Sequence, residues 1–153
     1  MGSVATEISL DTASRLRIAI GRLSRRLRQT DAATAVGLTP TRSSVLLNVV
    51  RSGPVRLSEL AASEGLNPTM LSRVVAELVD ARLLQRSSDQ GDRRAAWVNS
   101  TAAGRRLAAR MRRERTDALN LALEGLSASE RRELEAALPA LETLAEQLKA
   151  RRP

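Results

Sequence analysis

From Ser9 to Arg28 the apolar residues Ala13, Leu16, Ile20, Leu23 and Leu27 recur three and four positions apart. That spacing predicts an amphipathic helix with arginines on its other faces. Thr30 to Val36 is small and polar and runs into Gly37, so it reads as a connection. Thr39-Pro40 then predicts an N-cap followed by proline at the first helical position. The helix so opened carries Val45, Leu46, Val49 and Val50 and stops at Ser52-Gly53-Pro54. Val55 to Leu57 is a stub of strand. Ser58 is placed to cap a short helix through Glu64, with Gly65 as its left-handed terminator. Asn67 and Pro68 repeat the cap-and-proline signal, opening a helix whose buried face is Leu71, Val74, Val75 and Leu78 and whose end falls near Arg82.

Beyond it, Leu83 to Ser87 and Ala95 to Asn99 are short strand candidates. The polar, glycine-containing segment Ser88 to Arg94 between them reads as a hairpin tip. Thr101 is placed to cap a long helix with apolar positions at Leu107, Met111, Ala118 and Ala122, broken at Gly125. Ser127-Ala128-Ser129-Glu130 is a capping box. It opens a last helix with Leu134, Leu138, Leu141, Ala145 and Leu148 in an apolar stripe, and Pro139 inside that stripe is expected to kink or interrupt it. The order predicts a mainly α fold with one small β-hairpin.

Composition sharpens this. The 153 residues include no Phe or Tyr and a single Trp, so the core must be built from Leu, Val, Ala and Ile. Cysteine and histidine are both absent, which removes disulfides, thiolate switches, Cys/His zinc sites and every His-based triad. Glu133 and Glu135 stand at alternate helix positions and so do not face one another, and no phosphate-cradling glycine loop is present. An enzyme is not expected, nor a cofactor. No apolar run approaches the length of a membrane span. The first six residues fit a loose myristoylation pattern, but no apolar and basic anchor accompanies it. The expected compartment is the cytoplasm.

The net charge is +8, and 24 of the 25 basic residues are arginine. Arginine's planar fork holds phosphate or a guanine edge bidentately, so nucleic acid is the leading partner. The helices on either side of Gly65 have the dimensions of a helix-turn-helix, whose second helix enters the major groove N-terminus first. The residues placed to reach bases are Asn67, Pro68, Thr69, Met70, Ser72 and Arg73. Thr and Ser can bond a base edge or a phosphate, Arg73 can read guanine, and Met70 or Thr69 can touch a thymine methyl. A basic helical module for RNA or an anionic surface is the alternative; a lone Trp97 is thin supply for base stacking, and the Arg-rich helices lack a face of large apolar residues.

Leu57-Ser58-Glu59-Leu60-Ala61, Leu71 to Leu78, Leu83-Leu84-Gln85-Arg86, Asp92-Arg93-Arg94-Ala95, Val98 and Thr101-Ala102-Ala103-Gly104 together resemble the MarR (multiple antibiotic resistance regulator) family, most densely from about Thr39 to Leu107. The resemblance implies a winged helix-turn-helix regulator, most often a repressor. It also implies a triangular homodimer whose N- and C-terminal helices interlock. Asp92 would brace the wing by pairing with an arginine, while Arg93 or Arg94 reaches into the minor groove. The helix after Thr39, with Arg42, and the strand carrying Arg86 would lie beside the phosphates. Ser100 stands where the family usually has leucine, Gln90-Gly91 replaces a proline-containing wing tip, and Pro68 and Met70 are unusual in the reading helix.

The expected division is therefore 1–36 for a dimerisation helix and connection, 37–106 for the DNA-binding region, and 107–153 for C-terminal dimerisation helices, interlocked as one domain. Independently of the resemblance, the first and last helices each present a Leu/Ala stripe that one lobe does not obviously cover. Two reading helices related by a two-fold would require half-sites roughly 34 Å apart, hence a near-palindromic operator. The resemblance further implies a small anionic or aromatic effector bound among the first helix, the Thr39 helix and the helix after Thr101. Arg15, Arg22 and Arg110 are candidates to meet its carboxylate.

Overall fold

A computed structural model describes residues 3–88 and 96–150, with seven α-helices and three strands among them. The chain divides into two compact units, Met1–Arg115 and Thr116–Pro153, with the boundary inside a helix.

In the first unit α1 spans Ser3–Leu27, starting earlier than its apolar stripe. The expected connection after it contains a short helix, α2 (Asp31–Ala35), because Thr30 accepts from the Ala33 N–H through its hydroxyl and supplies an N-cap. Ala32 and Ala33 are buried there. α3 spans Pro40–Ser52 and opens as predicted, the Thr39 hydroxyl accepting from the Arg42 N–H at 3.3 Å. β1 (Val55–Arg56) leads directly into α4 (Leu57–Glu64). Arg56 occupies the N-cap position of α4 without a side-chain bond, which corrects the expectation for Ser58: the strand delivers the chain already turning, and Ser58 lies inside the helix.

Gly65 closes α4 at φ 64°, ψ 30°, the left-handed conformation that glycine adopts without a Cβ clash. α5 (Pro68–Asp80) follows two residues later, and the Asn67 side-chain oxygen accepts from the Met70 N–H at 2.8 Å. Its far end is less usual. Arg82 takes φ 57°, and the Leu83 N–H returns to the Leu78 carbonyl at 2.9 Å.

β2 (Leu84–Ser88) begins one residue later than its sequence signal, and β3 spans Ala96–Ser100. The sheet order is β1-β3-β2, antiparallel throughout, with Arg56 opposite Trp97 and Arg86 opposite Val98. Thr101 caps α6 (Ala102–Glu124) by accepting from the Gly104 N–H at 3.0 Å. One core joins these pieces: Leu46 and Val49 of α3, Leu60 of α4, Leu71, Val75 and Leu78 of α5, Leu84 and Val98 of the sheet, and Leu107 and Met111 of α6. All four residues expected on the buried face of α5 are buried.

In the second unit, the rest of α6 ends at Gly125, and α7 (Ala128–Ala150) starts with the capping box: Ser127 N–H and hydroxyl both donate to Glu130. The helix continues through Pro139 without interruption. None of the described side chains from Thr116 to Leu148 is fully buried. Leu121, Leu138 and Leu148 are 71%, 52% and 60% exposed.

Candidate nucleic-acid interface

α5 is fixed to the protein by one face and presents the other. Leu71 and Val75 are buried, whereas Asn67, Pro68, Thr69, Met70, Ser72 and Arg73 are all exposed. The N-cap commits the Asn67 oxygen and leaves its amide hydrogens for other partners. Proline at the first position removes one N–H that would lack a helical partner and presets the backbone angle. The structure thus brings the six expected reading residues together on the outer face of one helix start, with Met70 51% exposed among polar neighbours.

Two further predicted residues, Arg42 and Arg86, are tethered, as is Arg73 of the six. Arg42 donates from Nε to Oε2 of Glu77 at 2.6 Å, and its Nη2 lies 2.6 Å from the same oxygen. Arg73, one turn before Glu77, donates from Nε to Oε1 at a longer 3.4 Å and keeps a side chain 84% exposed. Arg86 on β2 donates from Nη2 to the Ser72 carbonyl at 3.1 Å, tying the strand to the reading helix. Thr39 is exposed, with its hydroxyl engaged in capping α3. Asp92, Arg93 and Arg94 lie outside the described residues. Glu77 was not singled out by sequence reasoning; its partner Arg42 is 35 positions away, and no local pattern marks such a pair.

A cleft of about 690 Å³ is lined by Leu27 at the end of α1 and the adjoining Arg28, by Leu47, Asn48 and Arg51 of α3, by Glu64 and Leu66 about the α4–α5 turn, and by Arg112 and Arg115 of α6. The lining elements include the three expected for an effector site, but the arginines differ. Arg15, Arg22 and Arg110 are absent from the lining, and Arg15 pairs instead with Asp11 at 3.9 Å. Arg115 donates from Nη2 to the Arg28 carbonyl at 3.2 Å, while its buried Nε has no partner among the described residues. Burial lowers the Arg115 pKa, yet the group stays cationic at neutral pH. Also in the lining, buried Asn48 donates to Ser63 at 2.9 Å and to Glu64 at 2.6 Å.

Among the described residues no group of His, Cys, Asp or Glu could hold a metal ion, and no helix is long and apolar enough to cross a membrane.

The MarR family model matches residues 38–96, which run from the residue before the Thr39 cap to β3. An uncharacterised HTH-type transcriptional regulator of Mycobacterium bovis is 33% identical over 119 residues, covering 78% of this chain and 82% of the relative. The chain belongs to the MarR family. A crystal structure of a Pseudomonas aeruginosa protein matches this MarR-family chain with a TM-score of 0.73 at 33% identity, covering 90% of this chain and 96% of the other. Wild-type MarR from E. coli in its apo form has the same fold, with a TM-score of 0.73 at 18% identity over 84% of this chain and 94% of that one. As a MarR-family transcriptional regulator, the protein binds DNA and is not an enzyme.

Proposed function

We propose that this MarR-family protein is a homodimeric, ligand-responsive repressor that acts in the cytoplasm on a near-palindromic operator. The observation that carries the reading is the start of α5: a capped helix end, solvent-facing from Asn67 to Arg73 apart from Leu71 and anchored by a buried opposite face. One helix fills a major groove, and its first turns reach the base edges. Asn67, Pro68, Thr69, Met70, Ser72 and Arg73 are the proposed readers. Asp92, Arg93 and Arg94 form the proposed wing in the minor groove, Thr39 and Arg86 flank the phosphates, and Arg42 lies on the helix beside them, held by Glu77.

Dimerisation is supported by apolar surface in each unit. α1 exposes Ile18, Ile20 and Leu23, and the second unit exposes Leu119, Leu121, Leu123, Leu134, Leu138, Leu144 and Leu148. Helices whose described side chains bury nothing completely have little to offset their ordering entropy, and a second copy supplies the missing cover. In this reading residues 1–36 and 107–153 dimerise and 37–106 bind DNA. Effector binding is supported by the cleft, where four arginines face a single glutamate beside Leu27, Leu47 and Leu66. That lining suits a small anion with an apolar or aromatic body.

The test is a gel-shift titration against duplexes selected from the source genome. Arg73→Ala and Arg94→Ala should each weaken binding by more than about 1 kcal/mol. Unchanged titrations for both variants would sink the assignment of the readers. Affinity should also fall steeply with salt through counterion release, and a flat response would count against a phosphate-gripping interface.

A further inference from the structure

We propose that Glu77 is a positioning residue that sets the DNA selectivity of the reading head, by holding one arginine back from the phosphates while presenting another to a base. The inference rests on the reading of α5 as the recognition helix.

Glu77 sits on α5 facing α3, and its side chain and that of Arg42 are both 32% exposed. Two contacts of 2.6 Å from Arg42 converge on Oε2, a short, charge-assisted arrangement. Arg42 therefore spends Nε and one Nη within the protein. Arg73 differs in every respect that matters: it meets Oε1 through Nε alone, at 3.4 Å, and remains 84% exposed. Both its Nη groups are left to form the two-pronged contact that fits a guanine edge. The single carboxylate thus offsets one of the two positive charges it contacts and restrains the fork of Arg73.

Phosphate contacts give affinity without sequence information, whereas base-edge contacts discriminate. Holding Arg42 on Glu77 removes a contact that every duplex would reward equally. A negative charge on this face also weakens attraction to any phosphate backbone. Both effects lower affinity for every duplex alike, so discrimination rests on the other arm of Glu77, the restrained fork of Arg73.

The experiment compares wild type, Glu77→Gln, Glu77→Asp and Arg42→Met. Each is titrated over a salt series against a duplex that the wild type selects from a random-sequence pool, and against a scrambled duplex of the same composition. Glu77→Gln should bind the scrambled duplex more tightly, with a salt slope steeper by about 0.9 for the one phosphate gained. Its ratio of selected to scrambled affinity should fall about fivefold, the low end of what one bidentate arginine–guanine contact supplies, because the fork of Arg73 loses its restraint. Glu77→Asp, which keeps the charge, should restore much of the ratio. Arg42→Met should retain the wild-type slope, because Arg42 is not a phosphate contact.

A Glu77→Gln protein with wild-type slope and ratio overturns the proposal, as does an Arg42→Met slope flatter by about 0.9. If Glu77→Gln does not fold, Arg42→Met alone decides. A wild-type protein that selects no duplex refutes the reader itself. One that selects a duplex while the variants discriminate equally well refutes only the role of Glu77.

Discussion

Gly104 stands where α6 passes closest to the chain that leads into the wing, and Gly104→Ala tests how tight that passage is. A Cβ at this position would lie 2.1 Å from the Leu83 carbonyl oxygen, 3.0 Å from its carbon and 3.3 Å from Cδ1 of Leu46. Carbon–oxygen contacts settle near 3.3 Å, so the two backbones would have to part by about 1 Å. The Leu83 carbonyl cannot retreat freely, because it accepts from the Thr101 N–H and from the Thr101 hydroxyl, each at 3.1 Å. Moving it disturbs the residue that caps α6. Overpacking of this kind costs about 1–3 kcal/mol, and a weakened cap adds about 1. The better helix propensity of alanine returns about 1 kcal/mol. The net expectation is a loss of about 1–3 kcal/mol, or roughly 2–12 °C in melting temperature for a chain of this size. Circular dichroism at 222 nm during thermal and urea unfolding measures it, at several protein concentrations so that dimer association is held apart from folding. A variant as stable as wild type, or more so, would refute the close approach.

Four further outcomes follow from local geometry. Arg82→Gly should stabilise the protein by about 0.5–1 kcal/mol in urea unfolding, since Arg82 holds a left-handed conformation that disfavours a Cβ; a loss would show that the arginine side chain contributes more than the strain. Asn67→Ala should cost about 1 kcal/mol in the same assay by removing the cap on the Met70 N–H, and an unchanged midpoint would count against that cap. Glu114→Ala should cost about 1–2 kcal/mol, because both Glu114 oxygens accept from the Ala32 N–H, at 3.2 and 3.1 Å; Glu114→Gln, which keeps one acceptor, should lose less, and equal losses would point to packing instead. Bonds from Ser127 hold the Glu130 carboxyl below its ordinary value of 4.5, so its contribution is complete above that pH and is lost as pH falls through the depressed folded value. The difference in helix melting between wild type and Glu130→Gln should therefore shrink in acid, and a gap independent of pH would contradict the assignment.

The helix-turn-helix was legible because its signals are local and agree with one another. Thr39-Pro40 and Asn67-Pro68 each combine a cap with a preset backbone angle, Gly65 marks a left-handed turn, and the Leu71, Val74, Val75, Leu78 stripe gives a single period. α2 was not legible, since five residues hold little more than one turn and no periodicity can build up. Ser58 misled because a cap depends on how the chain arrives, and pairing of β1 with β3 sets that arrival. The α5 reading residues were found by position within a helix. Glu77, and the cleft arginines Arg51, Arg112 and Arg115, were not, because they acquire meaning only when α3, α5 and α6 pack. The contact from Glu114 to Ala32 spans 82 positions and leaves no trace in any window of sequence.

The pairing of Arg56 with Trp97 across β1 and β3 has an optical consequence. The Arg56 guanidinium carbon lies 5.2 Å from the centre of the indole, which is half-buried. Trp97 is the sole tryptophan, and the chain has no tyrosine, so intrinsic ultraviolet emission from this protein originates at one ring at the base of the wing. A cation held over an indole face perturbs its excited state. Any event that moves β1 against β3 therefore registers as a shift in colour and intensity from a single known position. The molecule carries its own unlabelled reporter beside the segment proposed to enter the minor groove.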